Sequence, residues 1–207
     1  MKKVKILIFT ASLMVIGCTS SKITTSWKAL NIVQKKYNKI LVLGLIPDSD
    51  RRIQERMEEH MAGDIIDIGY TAVSALHEYG PKAFDKLDEK AALDKIKNSG
   101  FDAVITIVLL DKQKESRYIS EVSRQNFGNY YGSRYKRILN PGRYVTDTKY
   151  FWESNFYDMS DQSLLYSAQT QSFPEDNIET LGHQYGKMII KDMIKKKVLK
   201  SQVKDNE

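Results

Sequence analysis

Residues 40–46 have the sequence ILVLGLI, and residues 103–110 have the sequence AVITIVLL. Apart from Thr106, both runs lack polar residues, so neither shows the alternation of a strand with one face in water. Such continuous runs are typical of strands that other elements cover on both faces. The two runs therefore predict a sheet with helices on both sides.

The segment between the two runs predicts two helices and one further strand. Apolar residues recur at helical spacing over 50–68, and Gly69 is a favourable residue just after a helix end. Residues 70–76 resemble a strand, and Asp88 is a favourable N-cap for a helix over 88–98. Right-handed crossovers in the order strand, helix, strand, helix, strand make the three strands parallel.

The second half of the chain predicts an antiparallel addition to that sheet. We expect residues 111–118 to extend the preceding strand, and the aromatic-rich residues 148–158 to form a hairpin with 163–173. A final helix is expected over 176–197. The predicted fold class is therefore α/β, a single domain with a mixed sheet of about five strands and three helices.

The first residues have the layout of a secretory signal. Lys2, Lys3 and Lys5 precede an apolar run over 6–16. This run is shorter than the roughly 20 residues that a helix needs to cross a bilayer. Residues 15–18, Val-Ile-Gly-Cys, resemble the lipobox of bacterial lipoproteins, in which the cysteine is acylated and becomes the first mature residue.

The resemblance implies that Cys18, the only cysteine of the chain, carries a lipid anchor of palmitate type. Several acyl chains, at about 0.8 kcal/mol per buried CH₂, hold a protein stably on a membrane. The chain then divides into a signal peptide at 1–17, the lipidated cysteine with a tether at 18–38, the domain at 39–200 and a frayed tail at 201–207. The alternative is an ordinary signal peptide with an incidental thiol.

The charge balance indicates no particular partner. The full chain of 207 residues has 32 basic and 26 acidic residues. Loss of residues 1–17 removes three lysines and no acid, which leaves 29 basic residues against 26 acidic ones. A net charge of this size steers little. The single cysteine excludes an intramolecular disulfide and a cysteine-based zinc cluster.

A local basic and aromatic segment is the candidate binding site. Residues 117–144 contain six basic residues against one acid, with tyrosines between them. Arginine offers a planar fork for phosphate or carboxylate, and tyrosine offers a flat contact surface. We expect a long loop over 117–147, and loops of this length are commonly functional or disordered. The predicted contact residues are Arg117, Arg124, Tyr130, Tyr131, Arg134, Tyr135, Lys136, Arg137 and Arg143.

Two interpretations of this loop are open at the level of sequence. In the first, the loop binds an envelope protein or an anionic envelope polymer. In the second, it is a long solvated hairpin whose tyrosines pack on the sheet. Nucleic acid also suits basic and aromatic residues, but a secreted lipoprotein rarely meets it, so we expect no nucleic-acid partner.

The rest of the chain predicts no catalytic residue, metal site or cofactor. The three histidines of the chain are His60, His77 and His183, and no two of them have the i, i+4 spacing of metal ligands on one helix. Residues 44–48 lie between a strand and a helix, where a phosphate loop would lie. They lack both the glycine pattern and the lysine of such loops, which indicates a structural turn.

In element order and in its aromatic hairpin, the body of the chain resembles small α/β lipoproteins of the bacterial envelope and the amino-terminal domain of TolB-type periplasmic proteins. The resemblance implies a non-enzymatic binding or accessory module. The absence of an acidic residue just after Cys18 resembles the sorting pattern of outer-membrane lipoproteins, which implies the periplasmic face of the outer membrane. The alternatives are a structural subunit of an envelope assembly and an unrecognised envelope hydrolase.

Overall fold

A computed structural model describes residues 21–119, 128, 131–132, 143–172 and 178–203. Within these residues the chain forms one six-stranded mixed sheet with four helices. The strands are β1 (Ser21–Lys28), β2 (Ile40–Leu45), β3 (Ala72–Ser74), β4 (Ala103–Ile119), β5 (Arg143–Asp158) and β6 (Ser163–Ser172). The helices are α1 (Arg51–Asp67), α2 (Ala75–Tyr79), α3 (Glu89–Asn98) and α4 (Ile178–Lys195).

The strand order across the sheet is β1-β6-β5-β4-β2-β3. β2 pairs in parallel with both β3 and β4, whereas the pairs β4–β5, β5–β6 and β6–β1 are antiparallel. The α/β fold predicted from the apolar runs is therefore confirmed, with the crossovers in its parallel half and hairpins in its antiparallel half.

The core lies on both faces of the parallel strands. Ile40, Leu41 and Val42 are fully buried, although successive side chains of a strand point to opposite faces. A large hydrophobic cluster lies between the sheet and helices α1 and α4, and a smaller hydrophobic cluster lies on the face that carries α3. The largest fully buried side chains are aromatic: Trp152, Phe156, Tyr166 and Tyr185.

Two glycines bring α4 close to α1. A Cβ atom at Gly182 would lie 2.7 Å from Cδ2 of His60 and 3.0 Å from the carbonyl oxygen of Arg56. A Cβ atom at Gly186 would overlap the Asp64 carboxylate. Because glycine has no side chain, the two helices approach to a distance that other residues would prevent.

The predicted tether at 18–38 is wrong for its central part. Residues 21–28 form strand β1, which pairs with β6 along its whole length. β-branched Ile23, Thr24 and Thr25 favour a strand. The sequence does not reveal it, because β1 is an edge strand with one face in water and needs few apolar residues.

The predicted long loop is shorter than 117–147. β4 continues to Ile119 and β5 begins at Arg143, and the two strands stay paired over this whole length. The extension of β4 through residue 118 is confirmed, whereas the matching extension of β5 before residue 148 was not predicted. Residues 111–117 and 146–149 of these extensions are polar, and the apolar or aromatic residues are confined to 118–119 and 144–145. So short an apolar stretch gives no hydrophobic period for a strand.

Smaller differences concern the connections. β3 has only three residues, and α2 follows it directly, with Ser74 accepting a hydrogen bond from the His77 backbone N–H. Asp88 caps α3 as predicted, accepting a hydrogen bond from the backbone N–H of Ala91 at 2.8 Å. No helix in the described part of the chain is long and apolar enough to cross a membrane.

Candidate functional site

The end of the β4–β5 pair projects beyond the rest of the sheet. β2 accompanies β4 only as far as Val108, and β6 accompanies β5 only as far as Tyr150. Residues 113–119 and 143–149 therefore form a two-stranded ribbon, which we call the arm; the remaining sheet with its helices is the body. Seven residues per strand at about 3.3 Å each give the arm a length of about 23 Å.

The base of the arm is fixed to the body. The Lys112 ammonium lies 2.7 and 2.9 Å from the two carboxylate oxygens of Asp50, just before α1. The Tyr150 ring stacks on Trp152 with 5.6 Å between ring centroids. A β-bulge between Leu109 and Asp111 interrupts the register where the arm leaves the sheet. Bulges bend and twist a strand pair, so this one sets the direction of the arm.

Polar contacts join the two strands of the arm. The hydroxyls of Ser116 and Thr146 lie 3.2 Å apart, and the Lys149 ammonium lies 3.2 Å from the Glu115 carboxylate. The Glu115 side chain is 53% exposed, and exposed ion pairs of this kind contribute at most about 1 kcal/mol. Residues 111–116 are exposed throughout. None of the arm side chains that the structure describes belongs to a core cluster, so the backbone ladder and the contacts at its base hold the arm.

The structure places two predicted contact residues in the arm. Arg117 pairs with Val145, and Arg143 pairs with Ile119 at the far end. Tyr131 is 61% exposed. The other predicted site residues lie outside the described residues: Cys18, Arg124, Tyr130, Arg134, Tyr135, Lys136 and Arg137. The arm therefore carries both ends of the basic and aromatic segment away from the body.

A cleft of about 280 Å³ lies at the carboxyl end of β2. Its lining includes residues 43–48, Arg51 and Phe84. The Arg51 guanidinium is paired with the Asp48 carboxylate within the cleft. A Cβ atom at Gly44 would lie 2.7 Å from Cγ of Gln54, so only glycine lets α1 pack this closely on the end of β2. This close packing agrees with a structural turn at 44–48.

A buried carboxylate that sequence reasoning missed lies beside this turn. The Glu58 side chain of α1 is fully buried and accepts hydrogen bonds from the backbone N–H groups of Gly44 and Leu76, both at 2.8 Å. It also accepts from the Ser74 hydroxyl at 2.6 Å and from the Gln54 amide at 2.8 Å. Four donors offset the cost of burying the charge, and the carboxylate joins α1 to β2, β3 and α2.

A second acidic side chain of α1 has a different environment. Burial raises the pKa of Asp64, and electrostatic interactions with His183, Lys187 and His60 offset this in part. Its Oδ2 atom is buried without a hydrogen-bond partner among the described residues. Nearby, the Glu179 carboxylate of α4 contacts Arg56 at 2.6 Å and His60 at 3.3 Å. Among the described residues, no cluster of three or more His, Cys, Asp or Glu side chains could hold a metal ion.

A third carboxylate lies at the end of the sheet opposite the arm. Asp158, at the end of β5, accepts a hydrogen bond from the Lys35 ammonium at 2.6 Å and one from the Ser160 backbone N–H at 2.9 Å. Burial alone would raise the pKa of Asp158. The hydrogen bonds from Lys35 and Ser160 outweigh burial and hold that pKa below its usual value.

The chain matches no known family model, and no curated protein sequence matches it. Several solved structures are similar to it in backbone. The PelC dodecamer subunit from Paraburkholderia phytofirmans is 11% identical, with a TM-score of 0.44 over 82% of this chain and 94% of that chain. Lipoprotein GNA1162 from Neisseria meningitidis is 15% identical, with a TM-score of 0.43 over 76% and 99% of the two chains.

A third similar structure is a putative neuraminyllactose-binding hemagglutinin homolog from Helicobacter pylori. It is 10% identical to this chain, with a TM-score of 0.39 over 80% of this chain and 89% of that chain. The function proposed next rests on the residues and geometry of this chain itself.

Proposed function

We propose that this protein is a lipid-anchored envelope protein that acts as a non-enzymatic binding module. One observation carries the proposal: 14 residues form an arm that holds both ends of the basic and aromatic segment, and none of the arm side chains that the structure describes belongs to a core cluster. Exposed strands without a core cost ordering entropy and gain little packing in return. Such a projection is typical of a surface whose purpose is contact.

The anchor is the lipidated Cys18, the last residue of the lipobox. Only two residues separate it from Ser21, the first residue of β1. This connection is shorter than the tether predicted over 18–38, and it holds the body close to the bilayer. We place the protein on the periplasmic face of the outer membrane, following the residues just after Cys18.

Metabolic labelling with a palmitate analogue tests the anchor. The native chain should take up the label, and the Cys18→Ser variant should take up none. Label that persists in the variant would show a different attachment site and contradict the proposal. The matched control is Ser20→Ala, which changes a polar residue two positions after Cys18. This variant should take up as much label as the native chain.

Cross-linking in intact cells tests the binding role. Replacement of Arg134, Lys136 and Arg137 by Ser should remove the cross-linked partners of the native chain, because it removes two guanidinium forks and one ammonium that bind anionic groups. The control removes three exposed lysines from the end of the body away from the arm, by Lys36→Ser, Lys97→Ser and Lys200→Ser. If both variants keep every cross-linked partner, the basic segment is not the contact.

A further inference from the structure

The start of β1 lies at the end of the sheet from which the arm projects. Ser21 pairs with Ser172 of β6, and Ser172 pairs with Tyr150 of β5. Tyr150 is the residue next to the arm, which begins at residue 149. The chain before Ser21 therefore joins the sheet at the base of the arm, and a lipid on Cys18 is attached at this same end.

The arm is longer than the connection to the anchor. Cys18 precedes Ser21 by three residues, and three extended residues span at most about 11 Å. The arm projects about 23 Å from the same level of the sheet. Its far end thus reaches about 12 Å beyond any position of Cys18 along that direction, whereas the headgroup layer of one leaflet is only about 5–8 Å thick. A body held by Cys18 therefore keeps the arm within reach of the lipid surface.

The arm has an excess of basic residues. Residues 113–119 and 143–149 contain four basic and two acidic residues, and the sequence that joins the two strands, 120–142, contains four more basic residues and one acid. The rest of the mature chain contains 21 basic and 23 acidic residues. Basic residues next to an anionic lipid surface contribute about 1 kcal/mol each, and tyrosine is enriched at the level of the headgroups. The charge of the arm and of the segment it carries therefore complements an anionic bilayer.

We infer that the arm is a second membrane contact, whose basic residues bind anionic lipid headgroups of the leaflet that holds Cys18. The inference rests on the proposed acylation of Cys18 and names the partner of the proposed binding site. An isolated two-stranded ribbon is only marginally stable in water. Contact with the headgroups adds partners for the exposed side chains along it.

A fluorophore that responds to the lipid environment tests the inference on the full acylated chain. Ser116→Cys places a thiol on the arm, and Leu30→Cys places one at the opposite end of the sheet, where Leu30 is 90% exposed. Mass spectrometry first verifies that Cys18 is acylated, so that each variant takes one label. Both variants are then inserted into vesicles of phosphatidylcholine alone or with one third phosphatidylglycerol.

The expected result is a blue shift at residue 116 in vesicles with phosphatidylglycerol, no shift in phosphatidylcholine vesicles, and no shift at residue 30 in either. The shift should be lost in 1 M salt, where the screening length falls to about 3 Å. Adding Lys114→Gln, Arg117→Gln and Arg143→Gln should weaken the arm's equilibrium with lipid about 100-fold. The control with Lys36→Gln, Lys97→Gln and Lys200→Gln should retain the shift.

Three results would overturn the inference, and they differ from one another. If the acylated chain is on the vesicles and residue 116 shows no shift, the arm does not contact lipid, and the anchor stands. If residue 116 responds only when an envelope protein or an anionic polymer is added, that molecule is the partner instead. If Cys18 is not acylated and the chain stays off the vesicles, the proposed anchor itself has failed.

Discussion

The Glu58 carboxylate in the body is fully buried and accepts four hydrogen bonds, whereas the Glu115 carboxylate on the arm is 53% exposed and has one lysine 3.2 Å away. In the body, burial decides which charged groups are tolerated, since each needs donors or opposite charges around it. On the arm, water solvates the charges, and folding places no such demand on them. Body and arm should therefore respond to substitution in different measurements.

The largest effect should follow the loss of the buried carboxylate. Glu58→Ala leaves the backbone N–H of Gly44 and that of Leu76 without their acceptor, and each unsatisfied buried group costs about 1–3 kcal/mol. We expect the free energy of unfolding in urea to fall by about 4 kcal/mol. The control is Glu55, an exposed acid on the same helix, and Glu55→Ala should change the free energy of unfolding by less than about 0.5 kcal/mol. Equal effects of the two substitutions would contradict the role of Glu58.

A pair of glycine substitutions measures the close packing of α1 on α4. Gly186→Ala places a methyl group against the Asp64 carboxylate and should cost about 2–3 kcal/mol. Gly63→Ala, on α1, meets no atom within 4 Å and should stabilise the protein by about 0.5–1 kcal/mol through helix propensity. Thermal unfolding of both variants checks the opposite signs. A Gly186→Ala protein as stable as Gly63→Ala would show that the helices are not in close contact.

The pH dependence of stability tests the carboxylate at the end of β5. Because the folded pKa of Asp158 is lowered, its stabilising contribution is complete above the pKa of the unfolded chain, near 4, and is lost as the pH falls through the folded value. Asp158→Asn should thus cost about 1–2 kcal/mol at pH 7, and the difference from the native chain should shrink in acid. Urea unfolding from pH 7 to pH 3 measures it. A difference that stays constant or grows in acid would contradict the lowered pKa.

The smallest stability effect should come from the arm. The combined Lys114→Gln, Arg117→Gln and Arg143→Gln substitutions should change the free energy of unfolding by less than about 0.5 kcal/mol, since they leave the backbone ladder of the arm intact and remove only charges. The same protein should lose its contact with anionic lipid. A loss of 2 kcal/mol or more would mean that the arm's basic residues belong to the fold of the body, and the contrast between the two regions would fail.

The parts of the fold that the sequence predicts are those with a hydrophobic period. The run at 40–46 and the helical spacing over 50–68 gave β2 and α1 within two residues at each end. β1 and the arm are mostly polar in sequence, with few apolar residues, so no period distinguishes them from a tether or a loop. Their strand character follows from pairing with distant residues, such as Ser21 with Ser172.

The features of the candidate sites depend on the same contrast. The basic and aromatic character of 117–144 can be read from the sequence directly, because composition does not depend on tertiary structure. It does not identify Glu58 among the other acids of α1, since only the fold brings Ser74 and Leu76 to that carboxylate. The close approach of α4 had an available signal, the four-residue spacing of Gly182 and Gly186.

Amide hydrogen exchange on the full acylated chain in lipid nanodiscs tests the central claim most directly, because it needs no label or substitution. We predict slower exchange over 113–119 and 143–149 in discs that contain phosphatidylglycerol than in discs of phosphatidylcholine alone. Residues 40–42, which pair with β3 on one side and β4 on the other, should exchange equally in both. If the chain is bound to both kinds of disc and the arm exchanges equally in both, the arm does not bind anionic lipid.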